Sequence, residues 1–241
     1  MIMKKTVLLL GLVLLLGTYT ARAQTKAFRF GFKVAPLVSW MKPNTEGYES
    51  DGSSGGFAWG LVTDISLTDN YFIQTGVGMN FLGGRLIFKD KYDYVNDGGA
   101  EVTLSEAGIE RKYNIKYLSL PLVIKMKTNR FGKLSYFGKF GTETGIRLSA
   151  KGIDRVSPVD ENLKPFDYSK NLADEKEVNL ISETLIFAAG VEYSIDESTS
   201  ILGGFQFGNG ITDVLRGKNE FFDRDRNAML HYFQFTIGVM F

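Results

Sequence analysis

HYFQFTIGVMF (His231–Phe241) closes the chain, and its reading decides the fold. Phe233, Phe235, Ile237, Val239 and Phe241 share one parity, and Tyr232, Gln234, Thr236 and Gly238 share the other. Alternation with period two is the mark of a strand with two unlike faces. Chain ends are ordinarily polar and frayed. Here the apolar parity runs to the last residue, an aromatic. Such an ending is expected of a strand that turns one face to lipid, and it reads as a C-terminal insertion signal carried by Phe233, Phe235 and Phe241.

Seven further alternating stretches precede it. They are expected at Phe28–Trp40, Phe57–Leu67, Tyr71–Leu82, Tyr113–Lys127, Leu134–Ala150, Ile181–Ile195 and Ser200–Gly208. Each is long enough for a tilted strand to cross a bilayer, which takes about 9–11 residues. The connections alternate in length. Residues 68–70, 128–133 and 196–199 make short turns, whereas residues 42–55, 83–112, 151–180 and 209–230 make long segments. This is the plan of an all-β, eight-stranded antiparallel up-and-down transmembrane β-barrel with short periplasmic turns and long external loops. Pro36 and Pro121 fall inside strands. A closed barrel has no edge on which to place a missing N–H, so a bulge or a strand end is expected at each.

The start of the chain is compatible with this address. Lys4 and Lys5 precede an apolar run, Val7–Gly17, and Ala21, Arg22 and Ala23 form a small-x-small cleavage site. The run is shorter than the roughly 20 residues of a spanning helix. A cleaved signal peptide over residues 1–23 is therefore expected, followed by a barrel domain over residues 24–241. The expected location is the outer membrane of a Gram-negative bacterium, with both termini periplasmic and the long loops extracellular.

Composition narrows the function classes. The absence of Cys removes disulfides, thiolate metal sites and Cys nucleophiles together. A net charge of +1 gives no basic field for nucleic acid. The single histidine, His231, has Asp223 and Asp225 nearby in sequence, yet one histidine at a barrel rim is a weak basis for acid–base chemistry. The glycine pairs match no phosphate loop, and Asp51–Gly55 resembles a calcium loop only in composition. No catalytic, cofactor or metal site is expected.

If the aromatic faces meet lipid, the opposite faces line a lumen. They carry Arg29, Lys33, Asp64, Lys139, Glu143, Arg147 and Glu192, together with Gln74, Asn80, Gln206 and Gln234. Unpaired charge of this density is untenable in an ordinary core. In a barrel of eight strands, which is just wide enough for side chains to fill, these groups are expected to pair as a charge network that plugs the interior. A proton or ion pathway is the competing reading. A soluble ligand-binding barrel would instead turn the aromatic faces inward. The long segments mix acidic and basic residues, which reads as solvated surface able to bind partners.

YLSLPLVIK (Tyr117–Lys125), GVEYSI (Gly190–Ile195), FGNGITDVL (Phe207–Leu215) and the terminal FTIGVMF resemble segments of the PorT-family outer-membrane β-barrel proteins. The resemblance extends over the whole chain after the leader and implies a barrel without catalytic residues. It brings in an envelope or secretion-system protein as a partner, beside the outer-membrane lipid and the barrel-assembly machinery that the alternating strands and the aromatic-ended final strand already lead one to expect. The expected role is a structural or partner-binding envelope component. An accessory of type IX secretion, or a narrow channel or small hydrophobic ligand transporter, are the alternatives.

Overall fold

The computed structural model describes residues 28–95, 99, 101–158, 166–174 and 176–241. The expected leader, residues 1–23, lies outside them. Twelve strands follow in order: β1 (Phe28–Pro43), β2 (Tyr48–Ser50), β3 (Ser53–Ser66), β4 (Tyr71–Val95), β5 (Glu101–Lys127), β6 (Leu134–Pro158), β7 (Phe166–Asn171), β8 (Ile181–Ser194), β9 (Ser200–Asp213), β10 (Lys218–Asn219), β11 (Arg224–Asp225) and β12 (Ala228–Met240). Eight of them close a ring of antiparallel neighbours, β1-β3-β4-β5-β6-β8-β9-β12 and back to β1. The seam joins the two ends of the described chain. Phe241 N donates to Phe30 O at 2.7 Å, and Phe30 N donates to Phe241 O at 3.3 Å.

The short connections fall where the sequence places them. In the β8–β9 turn the Asp196 carboxylate accepts from the backbone N–H groups of Ser198 and Thr199, at 2.8 and 2.7 Å. Those bonds hold its pKa below the usual carboxylate range. The outward parity is also as expected: Phe28, Phe30, Phe32, Leu61, Leu122, Ile124, Phe205, Phe233 and Ile237 are exposed, whereas Gln74, Asn80, Glu143, Gln206 and Gln234 are buried.

Two long segments depart most from expectation. Residues 83–112 are not a loop. β4 and β5 run for 25 and 27 residues and stay paired out to Val95↔Glu101. β6 likewise continues to Pro158, and over Lys151–Val156 β7 takes the edge that β8 leaves at Ile146. The reason is a swap of chemistry at constant geometry. In the lower barrel the outward residues of β4 and β5 are apolar apart from Thr75. Above Phe81 and Leu118 the outward positions turn polar (Arg85, Lys89, Lys112, Lys116), while the inward ones turn apolar (Leu82, Leu86, Phe88, Ile109, Ile115). One half of the molecule is thus patterned for lipid and the other for water, on the same strands.

Neither proline produces a bulge or a strand end. Pro36 keeps its place opposite Phe57 in β3. Only the β12 side lapses, between Val34↔Ile237 and Leu37↔Gln234, without a change of register. Pro121 stays opposite Glu143, and its other flank lapses between Thr75↔Leu122 and Gly78↔Ser119. An antiparallel residue aims its N–H at one neighbour only, so the missing donor costs one flank of the ladder. Thr75 Oγ1 fills part of that gap by donating to Pro121 O at 2.9 Å. The register shifts lie elsewhere: between Asp90 and Tyr92 in β4, between Met229 and His231 in β12, and at Leu148, the extra residue between Tyr117↔Arg147 and Lys116↔Ser149.

Small residues admit the filling of the lumen. A Cβ on Gly190 would stand 2.3 Å from Gly203 O and 2.5 Å from the Phe137 ring, so only glycine lets that ring lie across β8.

Candidate functional site: a filled lumen beneath a capped rim

The inward side chains form tiers. Nearest the short turns, Lys125 is fully enclosed. Its Nζ donates to Asp64 Oδ2 at 2.7 Å and also to Glu192 Oε1. Arg29 and Lys127 complete the group, reaching Glu192 Oε2 at 3.2 and 3.1 Å. Gln74 donates to the free oxygen of Asp64. The Lys125 ammonium also lies 5.2 Å from the Phe137 ring centre and 5.9 Å from that of Phe72. Lys125, Asp64 and Glu192 therefore each have charged partners, as burial in a low-dielectric interior requires.

The second tier is built differently. Glu143, 4% exposed, accepts from Asn80 Nδ2 at 2.9 Å, from Tyr232 OH at 2.8 Å and from Ser119 Oγ. Gln206 Nε2 donates to Tyr232 OH at 3.0 Å. These are neutral donors converging on one carboxylate. Above them lies an apolar layer with Leu37, Met41, Leu82, Leu86, Tyr113 and Leu230 among its members.

A third polar tier caps the far end. The Arg111 guanidinium holds Asp154 bidentately, through Nε at 2.6 Å and Nη2 at 2.7 Å, and its Nη1 reaches Glu177. Arg226 bridges Glu177 at 3.2 Å and Asp90 at 2.7 Å. Tyr92 OH donates to Asp154 Oδ2 at 2.9 Å. Burial, reinforced by the Asp154 charge, pushes the Tyr92 hydroxyl well above its ordinary pKa and keeps it a donor. Residues 213–227 fold across this end. Asn219 Nδ2 donates to Tyr48 OH at 3.0 Å and to Lys89 O at 2.7 Å, and Asp90 accepts from the backbone of Glu220 at 2.9 Å.

The seven lumen residues singled out by sequence do not form one network. Arg29, Asp64 and Glu192 meet in the first tier, and Glu143 sits in the second. Lys33, Lys139 and Arg147 take no part in an ion pair among the described residues, and the Lys139 ammonium rests 4.7 Å from the Phe137 ring. Sequence reasoning missed Lys125, the centre of the first tier. Its parity was available, because Leu118–Met126 alternate outward and leave 125 and 127 inside. It also missed the whole cap. His231 packs against Trp40, with 5.9 Å between ring centres, and Asp223 and Asp225 lie away from it on the cap.

A closed ring, an apolar outer band and a polar filling define an inside-out protein. The family described as outer membrane protein beta-barrel domain matches residues 22–216. The chain belongs to that family. This outer-membrane barrel is similar to neisserial surface protein A (NspA) at 11% identity, with 89% of this chain and 96% of that one covered and a TM-score of 0.42. It is similar to OprG from Pseudomonas aeruginosa at 10% identity, with 89% and 95% covered and a TM-score of 0.42. Ail, the attachment invasion locus protein of Yersinia pestis, is 10% identical, with 90% and 100% covered and a TM-score of 0.34. No curated protein matches. The family match is to the barrel domain as such and does not single out the PorT-like group.

Proposed function

We propose that this outer-membrane barrel is a closed, non-enzymatic envelope component that works by presenting its capped end to a partner. The carrying observation is the filling of the lumen. Two polar tiers and an apolar layer occupy the space through which solute would pass, and a third polar tier seals the end. What remains for recognition is the rim. Its long strands give a rigid stem, and the 213–227 segment gives a folded surface held by Asn219, Asp90 and Arg226.

In this reading the capped end is extracellular, and both termini and the short turns are periplasmic. Phe233, Phe235 and Phe241 then form the last strand's lipid-facing stripe, offered to the assembly machinery during insertion. The chain has no cysteine, so single introduced thiols report topology cleanly. Asp223, whose side chain is 89% exposed, marks the cap, and Glu197 marks a short turn. A membrane-impermeant maleimide applied to intact cells is expected to label Asp223→Cys and to spare Glu197→Cys until the outer membrane is permeabilised. The reverse pattern would overturn the orientation.

A further inference from the structure

Just beyond the apolar band, the outward face of β4, β5 and β6 gathers four cations. Arg85 stands directly opposite Lys112. Lys112 and Lys116 flank Asn114, which is opposite Lys151. Directly opposed Cβ atoms are about 5 Å apart and diagonal ones about 7–8 Å, so Lys151 stands one diagonal from both Lys112 and Lys116, which are themselves about 13 Å apart along β5, a span that two phosphates of one headgroup can bridge. Like charges in direct opposition are destabilising unless an anion joins them.

None of the four takes part in an ion pair among the described residues. Arg85 keeps a buried Nε without a hydrogen-bond partner, and its Nη2 lies beside Gly52. Lys116 is engaged with the apolar band instead, its ammonium 5.1 Å from the Phe81 ring centre. Cations farther from the band behave otherwise: Lys89 pairs with Glu106 at 2.8 Å, and Lys91 with Glu220 at 3.4 Å. The nearest outward carboxylate on β5, Glu110, lies one pleat above Lys112 and opposite Arg155.

We propose that this patch binds the phosphate-bearing headgroup of an outer-leaflet glycolipid of the lipid A type. The patch is continuous with the lipid-facing band, which places acyl chains against Phe81, Leu118 and Leu148 while phosphates sit at the cations. Lysine stems are suited to that boundary, with an apolar shaft and a charged end. The proposal rests on the reading that the capped end is extracellular.

The test uses refolded full-length barrel in zwitterionic micelles, with diphosphoryl lipid A as probe and retention read by native mass spectrometry. Lys112→Gln/Lys151→Gln removes two exposed side chains. Each basic group at a membrane surface is worth about fivefold in affinity, so retention is expected to weaken at least tenfold. Lys89→Gln/Lys91→Gln is expected to leave it unchanged. Dephosphorylated lipid A is expected to be lost, and inorganic phosphate at matched concentration is expected not to displace the bound lipid. Equal retention of the dephosphorylated form, equal weakening by both double variants, or displacement by free phosphate would overturn the proposal. So would binding of an acidic polypeptide at the patch in preference to lipid A. Binding in micelles is independent of orientation in cells, so failure here and failure of the thiol-labelling result are distinguishable.

Discussion

Lys125→Met is expected to destabilise the barrel by about 3–5 kcal/mol, the usual effect of removing one member of a buried ion cluster. Asp64 would lose its ion-pair partner among the described residues, and Glu192 would keep Arg29 and Lys127 at the wetter edge of the tier. The loss arises less from a missing attraction than from a carboxylate left charged in a closed interior. Urea unfolding from lipid vesicles measures it. Adding Asp64→Asn to Lys125→Met removes the stranded charge while keeping a hydrogen-bonding side chain for Gln74, so the double variant is expected to recover part of the loss. Independent, additive effects of the two substitutions would show that Lys125 and Asp64 are not coupled.

Arg111→Met is the counterpart at the other end. It strands Asp154, which is fully buried, and leaves Glu177 to Arg226. The penalty is expected to be of similar size, about 3 kcal/mol, but its location differs. The cap is a set of loop segments that pack Leu172, Val178, Val214 and Leu215 onto the apolar layer and are tied together by polar contacts, whereas the first tier is clamped within the closed ring. Hydrogen exchange is therefore expected to rise in residues 172–174, 176–178 and 213–227 while the strands below keep their protection. Uniform acceleration through β1 and β12 would mean that the cap and the ring unfold as one unit.

The lower barrel was legible because its rule is simple. Outward residues near the short turns are apolar with few exceptions, such as the facing pair Thr63 and Thr75, and the final strand sets the phase for the rest. Lys125 was equally legible by parity and was overlooked because it sits in a run, LSLPLVIKMK, whose apolar density hides a single inward cation. The upper barrel was misread for a physical reason. Alternation persists through residues 83–95, but with its chemistry largely exchanged between faces, and a search for outward apolar residues finds charges such as Arg85 and Lys89 on either side of a lone Ile87. Leu148 adds a shift of parity by bulging, so that Asp154 faces inward although its numbering relative to Glu143 suggests the reverse. The cap depends on contacts between segments far apart in the chain, Asp90 with Arg226 and Arg111 with Glu177. Local periodicity carries no trace of such pairs.

Pro36 and Pro121 carry a similar lesson. Each lacks a donor, and each sits in a ring without edges. The ladder simply lapses for two residues on the flank where that N–H would have pointed, and the opposite flank holds register. A missing hydrogen bond on one side costs less than shifting every neighbour to the wrong face.

The claim on which the account turns is that side chains close the lumen, and single-channel recording tests it most directly. Wild-type protein refolded and inserted into planar bilayers is expected to give no discrete conductance steps, and Arg111→Met is expected to remain silent because the first and second tiers persist. Reproducible unitary steps from the wild-type protein, rising in frequency with the amount inserted, would contradict it.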